Sequence, residues 1–184
     1  MNFTARAVLA FFLMLLLLFA AVAIGAYRGF AGDKAQVELA LNSLAGVLET
    51  RVEMGHNLLT VAGRHLNGSD PLILSVENDL AVLSGQAPLL EKASVNERFA
   101  QNADALLKAL ETSPGVQADE RDLGYVNGLL PRGLEQSARW ADAAQYNKAA
   151  LEFNNRLKGQ LNGRLAMLLG VGEAELFTLG DSGL

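Results

Sequence analysis

The chain has no cysteine, two histidines, one tryptophan and four prolines in 184 residues. Without cysteine there can be no disulfide, no thiolate metal site and no lipidated cysteine anchor. The histidines are too few for most metal chemistry. Glu53-Met54-Gly55-His56 has the E-x-x-H spacing used by di-iron helical proteins. That chemistry needs a second such motif and two further inward glutamates, and His65 is preceded at the same spacing by Ala62. Nor are His56 and His65 four apart, as a zinc-protease helix requires. A metal-dependent enzyme using Glu53 and His56 is therefore the weakest functional reading. Gly170-Val171-Gly172 lacks the third glycine and the preceding strand of a dinucleotide loop. There is no phosphate loop and no nucleophile elbow, so the sequence predicts no catalytic residue, no metal and no cofactor.

Charge is also sparse. Charged residues make up 19% of the chain, and the formal net charge is -5. Lysines and arginines are scattered singly, without the concentrated positive surface that phosphate binding needs, so no nucleic-acid partner is expected. Strand signals are missing too: there is no sustained period-two alternation and few β-branched clusters. The expected fold class is all-α.

What the chain does have is one long apolar run. No charged side chain lies between Arg6 and Arg28. At about 1.5 Å per helical residue, Ala7 to Tyr27 spans roughly 30 Å, the thickness of a bilayer's hydrocarbon core. A cleaved secretory signal is the alternative, with Ala21-Val22-Ala23 as an A-x-A-like site. The run is long for a signal h-region and continues through Ile24-Gly25-Ala26. Residues 1–27 are therefore expected to be a tail and an uncleaved transmembrane anchor, with the membrane as one partner. The flanking charges, Arg6 against Arg28 and Lys34, nearly balance under the positive-inside rule. The short basic tail resembles an export signal-anchor, which leans the domain towards the extracytoplasmic face of the inner (plasma) membrane.

After the anchor, apolar residues recur at helical spacing. Leu41, Leu44, Leu48, Val52, Leu58, Leu59, Ala62 and Leu66 mark a first helix, ended by Asn67-Gly68-Ser69-Asp70-Pro71. Asp70 suits an N-cap and Pro71 a first turn. A second segment runs from Leu72 to Leu110, with a kink or break at Gly85-Gln86-Ala87-Pro88 and an end at Thr112-Ser113-Pro114-Gly115. One or two helical turns follow between Asp119 and Asn127. One last long helix is expected from Pro131 to Gly170, with residues 171–184 as a C-terminal tail. Together these predict an antiparallel four- to five-helix bundle over residues 28–170.

Two features stand out within it. The stripe of the first helix steps 41, 44, 48, 51 or 52, 55, 58, 62, which puts Arg51 on or beside the packed face. Either it is buried with a partner, since unpaired burial costs several kcal/mol, or it lies at the stripe edge with its head in water. Trp140, Asn147, Asn154 and Leu161 are spaced by seven, one line along the last helix beside a Tyr146–Ala150–Phe153–Leu157 seam. Buried amides bonding across the bundle to Arg51 or to backbone are expected there. A ligand held near Trp140 and Asn147 is the alternative.

Tyr146-Asn147-Lys148-Ala149-Ala150-Leu151-Glu152-Phe153-Asn154 resembles the Y-N-x-x-V-x-x-Y-N pattern of the LemA family of bacterial membrane-anchored helical proteins. Arg51-Val52-Glu53-Met54-Gly55-His56-Asn57-Leu58 resembles that family's R-x-D-L-I-P-N-L, with His56 in place of proline. Ser113 to Ala118 is similar to its Y-P-D-L-K-A turn, and Ala166, Gly170 and Phe177 to its ending. The basic residues that precede the family's first Y-N are here Asp142, Ala143 and Ala144, and its proline near Gln160-Leu161 is missing, so the resemblance is to a divergent member. It implies a transmembrane helix leading into a helical bundle, and no enzyme activity. It implies that Arg51, Asn147 and Asn154 make interhelical polar contacts and that Tyr146 and Phe153 are core; a structural or interaction role is expected for these together with Glu53, Asn57 and Trp140. The function expected first is a membrane-anchored interaction or scaffold protein of the bacterial envelope with an unidentified protein partner. A ligand-sensing bundle comes second.

Overall fold

The computed structural model describes residues 3–140 and 143–177. All regular structure among the described residues is helical, with no strand. The order is α1 (Phe3–His65), α2 (Pro71–Ser84), α3 (Leu89–Glu111), α4 (Pro114–Ala118), α5 (Glu120–Gly124), α6 (Leu130–Trp140), α7 (Ala144–Gly159) and α8 (Leu161–Leu168). A π-helical turn, Tyr125–Leu129, joins α5 to α6.

The apolar run forms the first part of α1, and its side chains are exposed on every side, from Val8 and Leu9 through Phe19 and Ile24. This helix is long and apolar enough to cross a membrane. Exposed apolar surface on that scale is unfavourable in water and favourable in lipid.

Local chemistry explains the helix ends that follow. The Asp70 carboxylate caps α2 by accepting from the Leu72 N–H at 2.8 Å, with Pro71 in the first turn. Asn67 Oδ1 accepts from the Ser69 N–H at 3.0 Å and folds the connection. Gly85 leaves the helix in an extended conformation, and Pro88 precedes α3. Ser113-Pro114 likewise separates α3 from α4.

The chain divides into two compact units. The first comprises residues 1–39 and 148–174, the second residues 40–147 and 175–184. In the first, Ala26, Phe30 and Val37 of α1 are buried, as are Ala150, Phe153 and Leu157 of α7. Phe30 and Phe153 meet edge to face, 6.4 Å between centroids. At the rim, Arg156 pairs with Asp33 at 2.8 Å and lies over the Phe30 ring.

In the second unit α2 packs extensively against α3. The core joins Leu58, Val61 and Ala62 of α1 to Val76 and Leu80 of α2, Phe99 and Leu106 of α3, Val116 of α4 and Val126 of the π-helical turn. Gly55 lets α1 come close. A Cβ there would fall 2.5 Å from Leu80 Cδ2 and 3.0 Å from Phe99 Cε2.

The single last helix expected from Pro131 to Gly170 is not what forms. The segment is broken into α6, α7 and α8. Gly159 ends α7, and Gln160 is extended at φ -98°, ψ 145°. Glycine is among the weakest helix formers. Beyond the break, Gly163 packs so tightly on the Arg156 and Leu157 carbonyl oxygens that no larger residue fits. Trp140 therefore ends α6 and Leu161 opens α8, so the proposed line of four reduces to Asn147 and Asn154 on α7.

Candidate functional site: a buried arginine and two asparagine clasps

Arg51 sits on the packed face of α1 and is 2% exposed. No carboxylate pairs with it among the described residues. Its guanidinium lies 5.0 Å over the Phe99 ring, and Nη2 donates to the Asn96 carbonyl oxygen across a long 3.4 Å. Nε has no hydrogen-bond partner, nor does Asn96 Oδ1. Burial pulls the guanidinium below the ordinary arginine value. A cation–π contact and one long hydrogen bond are weak compensation for a desolvated charge. Arg51 and Phe99 line a cavity of about 240 Å³ with residues of α3 and the α6 stretch around Leu134.

Asn147 and Asn154 engage backbone rather than Arg51. In the first unit, Asn154 Nδ2 donates to the Ala174 carbonyl oxygen and Asn154 Oδ1 accepts from the Ala174 N–H, both at 2.9 Å. In the second, Asn147 Nδ2 donates to the Phe177 carbonyl at 2.9 Å and Oδ1 accepts from the Phe177 N–H at 2.8 Å. Each amide thus imitates the paired bonds of a β-ladder. Tyr146 Oη adds a bond to the Glu175 carbonyl at 2.5 Å. Burial raises the Tyr146 phenol above its usual value, and the nearby Glu175 charge adds to this, so the O–H stays protonated to donate.

The other residues singled out in the sequence separate. Glu53 and Asn57 are exposed on α1, away from Arg51's buried face. Asn57 lines a second cavity of about 310 Å³ with Thr60, Arg64, Arg121 and Tyr125. Phe153 is core. The side chain of Trp140 lies outside the described residues. His56, the partner considered for Glu53, is exposed.

Two buried carboxylates escaped the sequence reading. Asp122, 1% exposed, accepts from Arg64 Nε at 2.8 Å and Nη2 at 2.7 Å, and from His65 Nε2 at 2.6 Å. Burial alone would raise its carboxyl, but hydrogen bonds and charge from His65 and Arg64 outweigh this and hold it below the usual carboxylate range. Asp119 brings a third potential ligand atom within 4.8 Å. Its carboxylate caps α5 through the Arg121 and Asp122 N–H groups, and both Asp122 oxygens are already bonded, so the cluster is structural. Asp79, also 1% exposed, is held by Arg98 at 2.6 Å and Asn102 at 2.7 Å. The one local signal was Arg64-His65 at the C-terminal end of α1, where cations are favoured.

Among the described residues these features define an all-helical protein with one helix long and apolar enough to span a membrane. No family model, curated protein or solved structure matches the chain.

Proposed function

We propose that this chain is a membrane-anchored, non-enzymatic interaction module of the bacterial envelope and a divergent relative of the LemA family. In this reading residues 7–27 cross the inner membrane, and the helices after them form an antiparallel four- to five-helix bundle on its extracytoplasmic side that docks a protein partner. The observation that carries the anchor is the run of exposed apolar side chains on α1, which lipid would cover. The resemblance gains support from what its motif residues do, since Arg51, Tyr146, Asn147 and Asn154 are all engaged in packing or backbone clasps.

The chain has no cysteine, so a single one at Ser69, exposed in the turn between α1 and α2, reports topology on a clean background. The Ser69→Cys protein should stay with membranes through alkaline carbonate extraction. In intact spheroplasts it should react with a membrane-impermeant maleimide. Release into the soluble fraction would remove the anchor, and labelling only after lysis would put the bundle in the cytoplasm. A tagged copy crosslinked in cells should retrieve one specific membrane partner, and retrieving none would count against the docking role.

A further inference from the structure

The charge of Arg51 is an unfinished piece of structure. Native proteins almost never bury a guanidinium without a carboxylate opposite it, because desolvation costs more than neutral contacts return. Here the described contacts are an aromatic face and one long bond to a carbonyl. Two buried polar atoms, Arg51 Nε and Asn96 Oδ1, are left without partners. A buried, under-satisfied group that lowers stability marks a place where folding has been traded for something else.

The adjoining cavity shows what is missing. Besides Arg51, its walls are largely apolar: Phe99, Ala103, Leu107 and Leu134. The acidic residues at its rim do not neutralise the arginine. Asp104 is exposed and held by Lys108 at 2.6 Å, and Glu135 is exposed with an interaction of its own. Salt weakens the pull of such exposed charges, and it weakens that of a charge held against Arg51 inside the cavity much less. We propose that this cavity is a binding site for a small monocarboxylate with an apolar body, whose carboxylate meets the Arg51 guanidinium while its hydrocarbon lies against Phe99, Leu107 and Leu134.

The chemistry selects this class. The planar guanidinium fork matches a carboxylate in two parallel hydrogen bonds. One negative charge cancels one positive charge, whereas a dianionic phosphate would leave a net charge in an apolar pocket. A neutral ligand would leave the arginine as it is. The apolar lining supplies affinity through burial, and the single charged group sets orientation. The site stands apart from the membrane and partner-docking reading and would survive the failure of either.

The test uses the full chain in zwitterionic nanodiscs, with empty discs as the blank, titrated calorimetrically with hexanoate and with phenylacetate. We expect saturable one-to-one binding by at least one of them. Hexanamide and phenylacetamide, the neutral counterparts, should bind at least tenfold more weakly. Arg51→Met keeps the apolar bulk and removes the charge, and should weaken carboxylate binding at least tenfold while its helical circular dichroism melt stays cooperative. Ala100→Leu, at an exposed cavity-lining position, should also weaken binding with Arg51 untouched. Decanoate separates a soluble acid from a lipid-derived one: affinity equal to hexanoate supports the site with the former, and tighter binding supports it with the latter. Absence of saturable binding by both short acids overturns the proposal. So does equal binding of acid and amide, or undiminished binding to a folded Arg51→Met protein.

Discussion

Asn154 and Ala174 hold each other through two hydrogen bonds of 2.9 Å, the side-chain amide standing in for a neighbouring strand. The pair explains why an asparagine, a poor helix former, occupies a buried position in the middle of α7. It satisfies both backbone groups of a residue that has no regular secondary structure of its own.

Asn154→Ala removes both partners of Ala174. The expected loss of stability is about 1–3 kcal/mol, from two modest hydrogen bonds and the desolvated backbone groups left behind. Asn154→Asp should be at least as damaging, since a carboxylate cannot donate to the Ala174 carbonyl. Chemical denaturation measures the cost. Hydrogen exchange at the Ala174 amide separates this clasp from a general loss of packing, because its protection should collapse while amides in α3 keep theirs.

Gly55→Ala sets two effects against each other. In a helix interior alanine is better than glycine by about 1 kcal/mol. The added methyl would stand 2.5 Å from Leu80 Cδ2 and 3.0 Å from Phe99 Cε2, so both side chains must give way. Overpacking of that kind costs about 1–3 kcal/mol. The net change should therefore be destabilising, and a rise in the denaturation midpoint would show that α1 can shift away from α2 at little cost.

Arg51→Met should stabilise the protein. The wild-type side chain buries a charge with no carboxylate opposite, and methionine offers similar bulk with nothing to desolvate. Replacing buried ionic groups by apolar ones commonly gains about 1–4 kcal/mol. A loss of more than about 1 kcal/mol on denaturation would mean that the Phe99 and Asn96 contacts compensate the charge fully.

Asp122 makes stability depend on acid. Its carboxyl is held below the usual 3.8 in the folded protein. The stabilisation is therefore fully present above pH 3.8 and is lost as pH falls through the lower, folded value. Asp122→Asn lacks that charge at every pH. Thermal midpoints from pH 7 down to pH 2 should show the variant well below wild type near neutrality, with the gap closing below about pH 4. A constant gap over this range would assign the role of Asp122 to shape rather than charge.

What the residues alone revealed was local. Asp70-Pro71, Gly85 to Pro88 and Ser113-Pro114 mark helix boundaries because capping and proline geometry act within a few positions. The all-helical class followed from periodicity, and the candidate span from an uninterrupted apolar run. The breaks that make α7 and α8 separate helices were not visible, since an isolated glycine such as Gly159 is also tolerated inside a helical pattern and the tight packing of Gly163 belongs to the folded chain. The spacing of Asn147 and Asn154 was visible, but their partners at Phe177 and Ala174 lie 30 and 20 residues away. The π-helical turn and the buried Asp79 and Asp122 left little trace, because an aspartate reads the same in sequence whether water or an arginine surrounds it.

The contact between His65 and Asp122 bridges 57 residues. Synthesis proceeds from the amino terminus, so Arg64 and His65 are made well before the carboxylate that will join them. Until then the end of α1 carries an arginine and a histidine whose folded partner does not yet exist. The bond therefore records order of assembly: it can close only once α2, α3 and α4 have been made, and a nascent chain halted short of residue 122 would lack the tie between its first helix and its fifth.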